Sequence, residues 1–321
     1  MSVKIGFHAS HEQFAPSRLL KLVKLAEAAG FDAAKSSDHI HPWSERQGES
    51  GFAWSWLGAA LEATRFSHGV ISAPGYRYHP AMLAQAAATL GEMYPDRFWL
   101  SLGSGEAINE AITGLPWPEK AERNARLGEC VEVMRALFAG ESVTHRGRIT
   151  VIEAKLYSRP SRPIPLFGAA VTEATAKWAA SWADGLLTTG SSPESLGKVI
   201  DAFRANGGAN KPIHVQTALA WAPTQAEAES EAVHQWGPAS LGGEVAWDLR
   251  RPSDFDTAGR AMRIEDVAQS VHVSADLGEQ EGFLQSLAEL DISHLHLHCV
   301  SRNQEQFVEA FGARVLPRLR R

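Results

Sequence analysis

The chain has 321 residues, 44% of them hydrophobic and 21% charged, an ordinary globular composition with enough apolar material for a large core. A formal charge of −6 and a pI near 6.1 give no electrostatic reason to expect nucleic acid or an anionic membrane as partner. The two cysteines, Cys130 and Cys299, exclude a disulfide scaffold and fit a reducing compartment.

In chain order, VKIGFHA (3–9) reads as a strand. A helix over 17–29 follows, with Ser17 as N-cap, Leu19, Leu20, Val23, Leu25 and Ala26 at helical spacing, and Gly30 as the stop. A second strand is expected over 31–37, a helix over 52–64, and a third strand over 66–73. Pro80 opens an alanine-rich helix over 80–93, where a first-turn proline is favoured. FWLSLGSG (98–105) is the fourth strand, and a long helix spans 120–139. Further strands are expected over 163–170, 185–190, 212–221 and 294–300, with helices over 172–182, 193–205 and 304–318.

Eight strands, most followed by a helix, predict a parallel sheet closed as a (β/α)8 TIM barrel. The alternative, an open doubly wound sheet, lacks its G-x-G-x-x-G turn, because Gly6 stands alone after the first strand. Length alone suggests two domains, but such barrels run to ~250 residues as one unit, so a single domain over 1–321 is expected. Two insertions interrupt the repeat, a small β excursion at 140–162 and a polar stretch at 222–285, of which 222–263 is a candidate lid. No apolar run of about 18 residues or more occurs. The opening MSVKIGFHAS shows no basic segment ahead of a long apolar run. The expectation is a cytoplasmic enzyme with a small-molecule substrate and neither nucleic acid nor membrane as partner.

Barrels of this kind carry their chemistry at the C-terminal ends of the strands. That rule gathers His8, Ser10 and Glu12; Asp38, His39 and Trp43; Ser72 to Arg77; Ser104, Glu106 and Asn109; Thr188 and Thr189; and His298 around one mouth. His39, with Asp38 beside it, can act as an acid–base group near neutral pH. It can equally be a loop histidine held by a carbonyl. His39 and His41 also form an H-x-H pair of the kind that holds metal, but such sites draw further ligands from other strands, so no metal is expected. In HLHLH, the side chains of His294, His296 and His298 share one face and the leucines the other. Only His298 would then near the mouth, the other two being buried histidines with satisfied ring nitrogens. Glu106 follows a Gly-Ser-Gly turn whose backbone N–H groups suit an anionic or heteroaromatic ligand, or else is a first-turn helix carboxylate.

The segments HASHEQF, SDHIHPW, APGYRYHPAMLAQAAATL, LGSGEAINE and ERNARLGECVEVMRALFAGE together resemble the bacterial-luciferase-like flavin oxidoreductases. The resemblance is nearest to the branch of deazaflavin (coenzyme F420)-dependent glucose-6-phosphate dehydrogenases and extends to a sister group assigned FMN. It runs over 3–205 and resumes at SHLHLHCVSRNQEQFVEAFGARVLPRL. It implies a TIM barrel, usually a homodimer, that binds coenzyme F420 or FMN at its mouth and transfers hydride to or from a hydroxylated substrate. The cofactor contacts it implies are Asp38, the backbone at Val70 and Ile71 (the site of a non-prolyl cis peptide), Ser104, Gly105, Glu106, Asn109, Gly168, Ala169, Ala170, Thr188, Thr189 and Gly190.

It further implies His39 as base, Glu106 as proton donor and Trp43 in the pocket wall, the three forming the catalytic set. Glu12, His8, His298 and Lys198 would meet the substrate. That branch clamps a substrate phosphate with two lysines and an arginine. Here Lys198 stands near one position, Thr257 and Ser270 stand at the others, and Arg260 and Arg263 lie off the pattern, so a bound phosphate does not follow. The alternatives are an FMN monooxygenase using oxygen, a metal-dependent hydrolase on His39, His41 and His298, and a barrel that binds flavin without catalysis.

Overall fold

The computed structural model describes residues 3–241 and 244–320. Eight parallel strands form the barrel: β1 Lys4–Ala9, β2 Ala33–Ser36, β3 Ser67–Ser72, β4 Phe98–Leu102, β5 Leu166–Ala169, β6 Gly185–Thr189, β7 Ile213–Ala220 and β8 His294–Cys299. Each pairs with the next, and β8 returns to β1 through His294 opposite Lys4, so the sheet closes without an edge. The outer helices are α1 Pro16–Ala28, α2 Ala53–Ala63, α3 Pro80–Met93, α4 Lys120–Ala139, α5 Glu173–Ala179, α6 Pro193–Phe203, α7 Gln225–Trp236, α8 Leu277–Ala288 and α9 Gln304–Arg314. The closed barrel expected from the repeat is therefore present.

Three local readings change. Ser17 does not cap α1: Ala15 holds that position and Pro16 opens the helix, its fixed φ replacing a side-chain cap. The stretch 222–285 is not one polar insertion. It holds α7, a short strand Val271–Val273 parallel to β7, and α8, which is the regular helix between β7 and β8. The chain around Val70 and Ile71 is all-trans, and no cis peptide occurs among the described residues. The excursion at 140–162 is an antiparallel hairpin, Val143–Arg146 with Thr150–Ala154.

Alternation along the strands decides what fills the barrel. Leu295 and Leu297 of β8 pack outward in the main apolar core, while His296 and His298 are buried on the other face and His294, expected to be buried, is half-buried. The interior is a plug of rings: Trp99, Phe167, His214 and His296, with Trp99 and His214 centroids 4.6 Å apart and Phe167 and His214 4.4 Å apart. Gly6 and Gly69 make room for it, since a Cβ at either would overlap the ring of His296 or Trp99. His296 was expected to be satisfied, yet neither ring nitrogen has a protein partner.

This plug makes stability pH-sensitive. His8, His11, His68, His214, His296 and His298 are buried. Burial pushes His11 down to about 4 and His68 and His298 down to about 3, and pushes His8, His214 and His296 well below the ordinary value. Below ~6.5 the unfolded chain binds protons that the folded chain refuses, so stability is lost as pH falls from there toward the folded values. Each histidine contributes up to ~1.4 kcal/mol per pH unit in that window. Urea unfolding midpoints should fall steeply between pH 6.5 and 5; equal midpoints at those two values would contradict the neutral-imidazole plug.

Candidate active site

The loop after β2 places His39 at the barrel mouth. Its Nδ1 lies 3.3 Å from the His41 carbonyl, a long bond in which the ring nitrogen must donate because a carbonyl only accepts. With Nδ1 donating, Nε2 makes no hydrogen bond among the described residues. That atom faces two carboxylates, Glu12 Oε1 at 3.5 Å and Glu106 Oε2 at 3.8 Å. The Trp43 ring packs against the imidazole at 5.0 Å and is backed by Phe255 at 5.3 Å. His41 turns away, donating from Nδ1 to the Ile108 carbonyl at 2.8 Å, so the H-x-H pair does not converge. Among the described residues no three His, Cys, Asp or Glu side chains gather as metal ligands would.

The two carboxylates differ in environment. Glu12 is buried, which opposes its ionisation, but His39 and the Ser37 hydroxyl hold its carboxyl below the usual range. Ser37 donates to its Oε2 at 2.6 Å and Ser10 at 3.1 Å. Glu106 goes the other way: desolvation at the cleft wall, with His39 opposing and the Glu12 charge adding, raises its carboxyl. A carboxylate beside a carboxyl that keeps its proton longer, sharing one imidazole, is a usable acid–base arrangement.

Asp38, expected to touch the cofactor, lines the cleft, but its carboxylate is bound within the protein. Its carboxylate accepts from the Ser72 hydroxyl at 2.6 Å, the Tyr78 hydroxyl at 2.9 Å and Trp54 Nε1 at 3.2 Å, and lies 3.4 Å from Arg77 Nη2. No part of that side chain is exposed. Its lone pairs are spent inside the protein, which leaves a ligand no carboxylate oxygen.

Three cavities meet at Val171 and Thr189, which line all of them. One of about 210 Å³ lies along Ser104, Gly105, Glu106 and Asn109, with Arg77 and Lys120 as cations. A second of about 210 Å³ descends past His39, Trp43, His8 and His298. A third of about 450 Å³ opens over Thr188, Gly190 and the serines at the start of α6. His39 and Glu106 line both of the first two and stand at their junction.

The residues fit a long heteroaromatic cofactor with an anionic tail. Gly105 turns at φ 81°, where a Cβ would crowd Glu110. Lys120 Nζ donates to Ser104 Oγ at 2.7 Å, and the buried Thr188 hydroxyl has no protein partner.

Other expected residues divide. Ile71, Ala169, Thr189 and Gly190 line the cleft, and Asn109 does so while its Oδ1 accepts from the Ile40 N–H at 3.0 Å. Val70 and Ala170 pack into the outer core, because neighbours on a strand point to opposite faces. Gly168 serves strand–helix packing, since a Cβ there would crowd Ala179 on α5. Lys198 lies outside the cleft, 58% exposed and paired with Glu194 one helical turn away at 2.8 Å.

Sequence reasoning passed over Glu110, which burial pushes up to about 7 against the pull of Arg77, and Lys35, a buried lysine bonded to Gln216 across the barrel. Their only available signal was position near a strand end.

Comparison with known proteins agrees with this geometry. The luciferase-like monooxygenase family model matches residues 1–295. An F420-dependent glucose-6-phosphate dehydrogenase of Beutenbergia cavernae is 36% identical over 99% of this chain and 98% of that protein. One from Mycobacterium tuberculosis is also 36% identical, over 99% of this chain and 98% of its own length. Among solved structures, an F420-dependent secondary alcohol dehydrogenase, in complex with an F420-acetone adduct, superposes with a TM-score of 0.92 at 28% identity, covering 100% of both chains. A long-chain alkane monooxygenase shares the fold at a TM-score of 0.75 and 15% identity, covering 99% of this chain and 91% of that one. Matched along nearly its whole length and built around the same closed barrel, the chain belongs to the luciferase-like monooxygenase family.

Proposed function

We propose that this protein is an oxidoreductase that transfers hydride between a small hydroxylated substrate and a flavin-type cofactor, coenzyme F420 or FMN, held at the barrel mouth. The observation that carries the reading is the Nε2 of His39, set between Glu12 and Glu106 where two cavities meet. The cleft along Ser104, Gly105, Asn109, Ala169 and Thr189 holds the cofactor. The cavity past Trp43 and His8 holds the substrate. When bound, the cofactor supplies the hydride acceptor.

His39 takes the substrate hydroxyl proton at Nε2, its tautomer set by the His41 carbonyl. The buried Glu12 carboxylate stabilises the imidazolium that results. Glu106, whose carboxyl desolvation raises above the usual range, stands at the cleft edge as the proton donor. Trp43, backed by Phe255, forms one wall against the imidazole.

The protein works as a single-domain homodimer in the cytoplasm, with neither nucleic acid nor membrane as partner. Among the described residues no helix is long and apolar enough to cross a bilayer.

Anaerobic mixing of cofactor-loaded protein with a panel of small alcohols and hydroxy acids tests the reaction. Loss of the oxidised cofactor's visible absorbance with at least one of them is expected. No absorbance change with any, together with oxygen uptake by the protein loaded with reduced FMN, would replace this reading with an FMN monooxygenase.

A further inference from the structure

Lys35 is out of place for a lysine. It sits on β2 with its side chain inside the barrel and 2% of its surface exposed. Its ammonium donates to Gln216 Oε1 of β7. Three N–H groups are available on an ammonium, and no carboxylate forms an ion pair with this one among the described residues. The groups that face it are Glu12, His8 and His298, with His296 deeper. Burial holds the imidazoles neutral, and Glu12, whose Oε2 accepts from Ser10 and Ser37 and whose Oε1 lies 3.5 Å from His39, acts on Lys35 only through its field. A buried cation without a counter-ion is costly and is ordinarily paired.

The free side of this ammonium faces the cavity that holds His39, where Lys35 is the sole ammonium or guanidinium among the described lining residues. A phosphate clamp is not assembled there. Lys198 is paired on the outer surface, and Arg260 and Arg263 are exposed.

We propose that Lys35 binds a carboxylate on the substrate, so that this pocket takes small hydroxy acids and the corresponding oxo acids. The assignment rests on the functional reading above and narrows its substrate class. The carbinol carbon gives up hydride to the oxidised cofactor and the hydroxyl proton goes to His39. The C–O bond becomes a carbonyl, and the carboxylate stays on Lys35 unchanged. Burial, partly offset by Glu12, brings Lys35 down to about 7, so a bound carboxylate restores the charge that burial disfavours.

The test uses 2-hydroxyisobutyrate, which carries the hydroxyl and the carboxylate but no carbinol hydrogen and so binds without turnover. Its neutral amide is the control. Calorimetric titration of the wild-type protein, with and without cofactor, should show the acid binding with proton uptake at pH 8. Lys35→Met and Lys35→Gln should each weaken the acid by roughly tenfold or more, while changing the amide and both cofactors by less than about threefold. Equal affinity for the acid in wild type and both variants would overturn the assignment, as would an amide that binds wild type as tightly as the acid. If neither cofactor binds the wild type, the functional reading fails, and the cofactor-free titrations still decide the role of Lys35.

Discussion

His39→Ala should lower turnover by roughly 10²–10⁴-fold, the range that general acid–base groups contribute, while cofactor affinity stays within a few-fold. The split follows from geometry. Nε2 faces Glu12 and Glu106 at the junction of the two cavities, whereas the proposed cofactor contacts lie along the Ser104–Asn109 wall. The measurement is single-turnover reduction of the bound cofactor set beside a cofactor titration of the same variant. Equal loss in both would make His39 a structural residue. His41→Ala is the matched control: its ring is tied to the Ile108 carbonyl, so it should retain turnover.

Asp38→Ala should cost about 3–5 kcal/mol of stability, the cost of breaking a buried ion pair by removing one partner. Arg77 would keep Glu110, 3.7 Å away, and the backbone carbonyl of residue 38, and the hydroxyls of Ser72 and Tyr78 and the indole N–H of Trp54 would lose their acceptor together. Denaturant unfolding reads the loss. Asp38→Asn preserves the shape and should cost less. A variant that unfolds like wild type yet binds cofactor a hundredfold more weakly would restore the direct cofactor contact expected from the sequence.

The two variants mark where the sequence was readable. Periodicity and turn residues carried the barrel, because eight apolar runs separated by helical stripes admit few topologies. Strand alternation placed His298 at the mouth and Leu295 and Leu297 outside without any structure. What stayed hidden depends on closure.

Nothing in AAKSS marks Lys35 as buried, and only the pairing of β2 with β1 and β3 turns its side chain inward. Asp38 looks like a ligand-facing carboxylate until Tyr78 and Trp54, distant in sequence, arrive to consume its oxygens. Lys198 failed because one helical turn brought Glu194 within reach and faced both toward solvent. The Val70 side chain packs into the outer core and Gly168 lies close against Ala179, because each alternates with a cleft-lining neighbour.

The central claim, that the mouth is a flavin-type cofactor site, is tested most directly by fluorescence titration of the purified protein with coenzyme F420 and, separately, with FMN. Saturable one-to-one binding of at least one of them in the micromolar range is expected. Failure of both to bind at that level would contradict it.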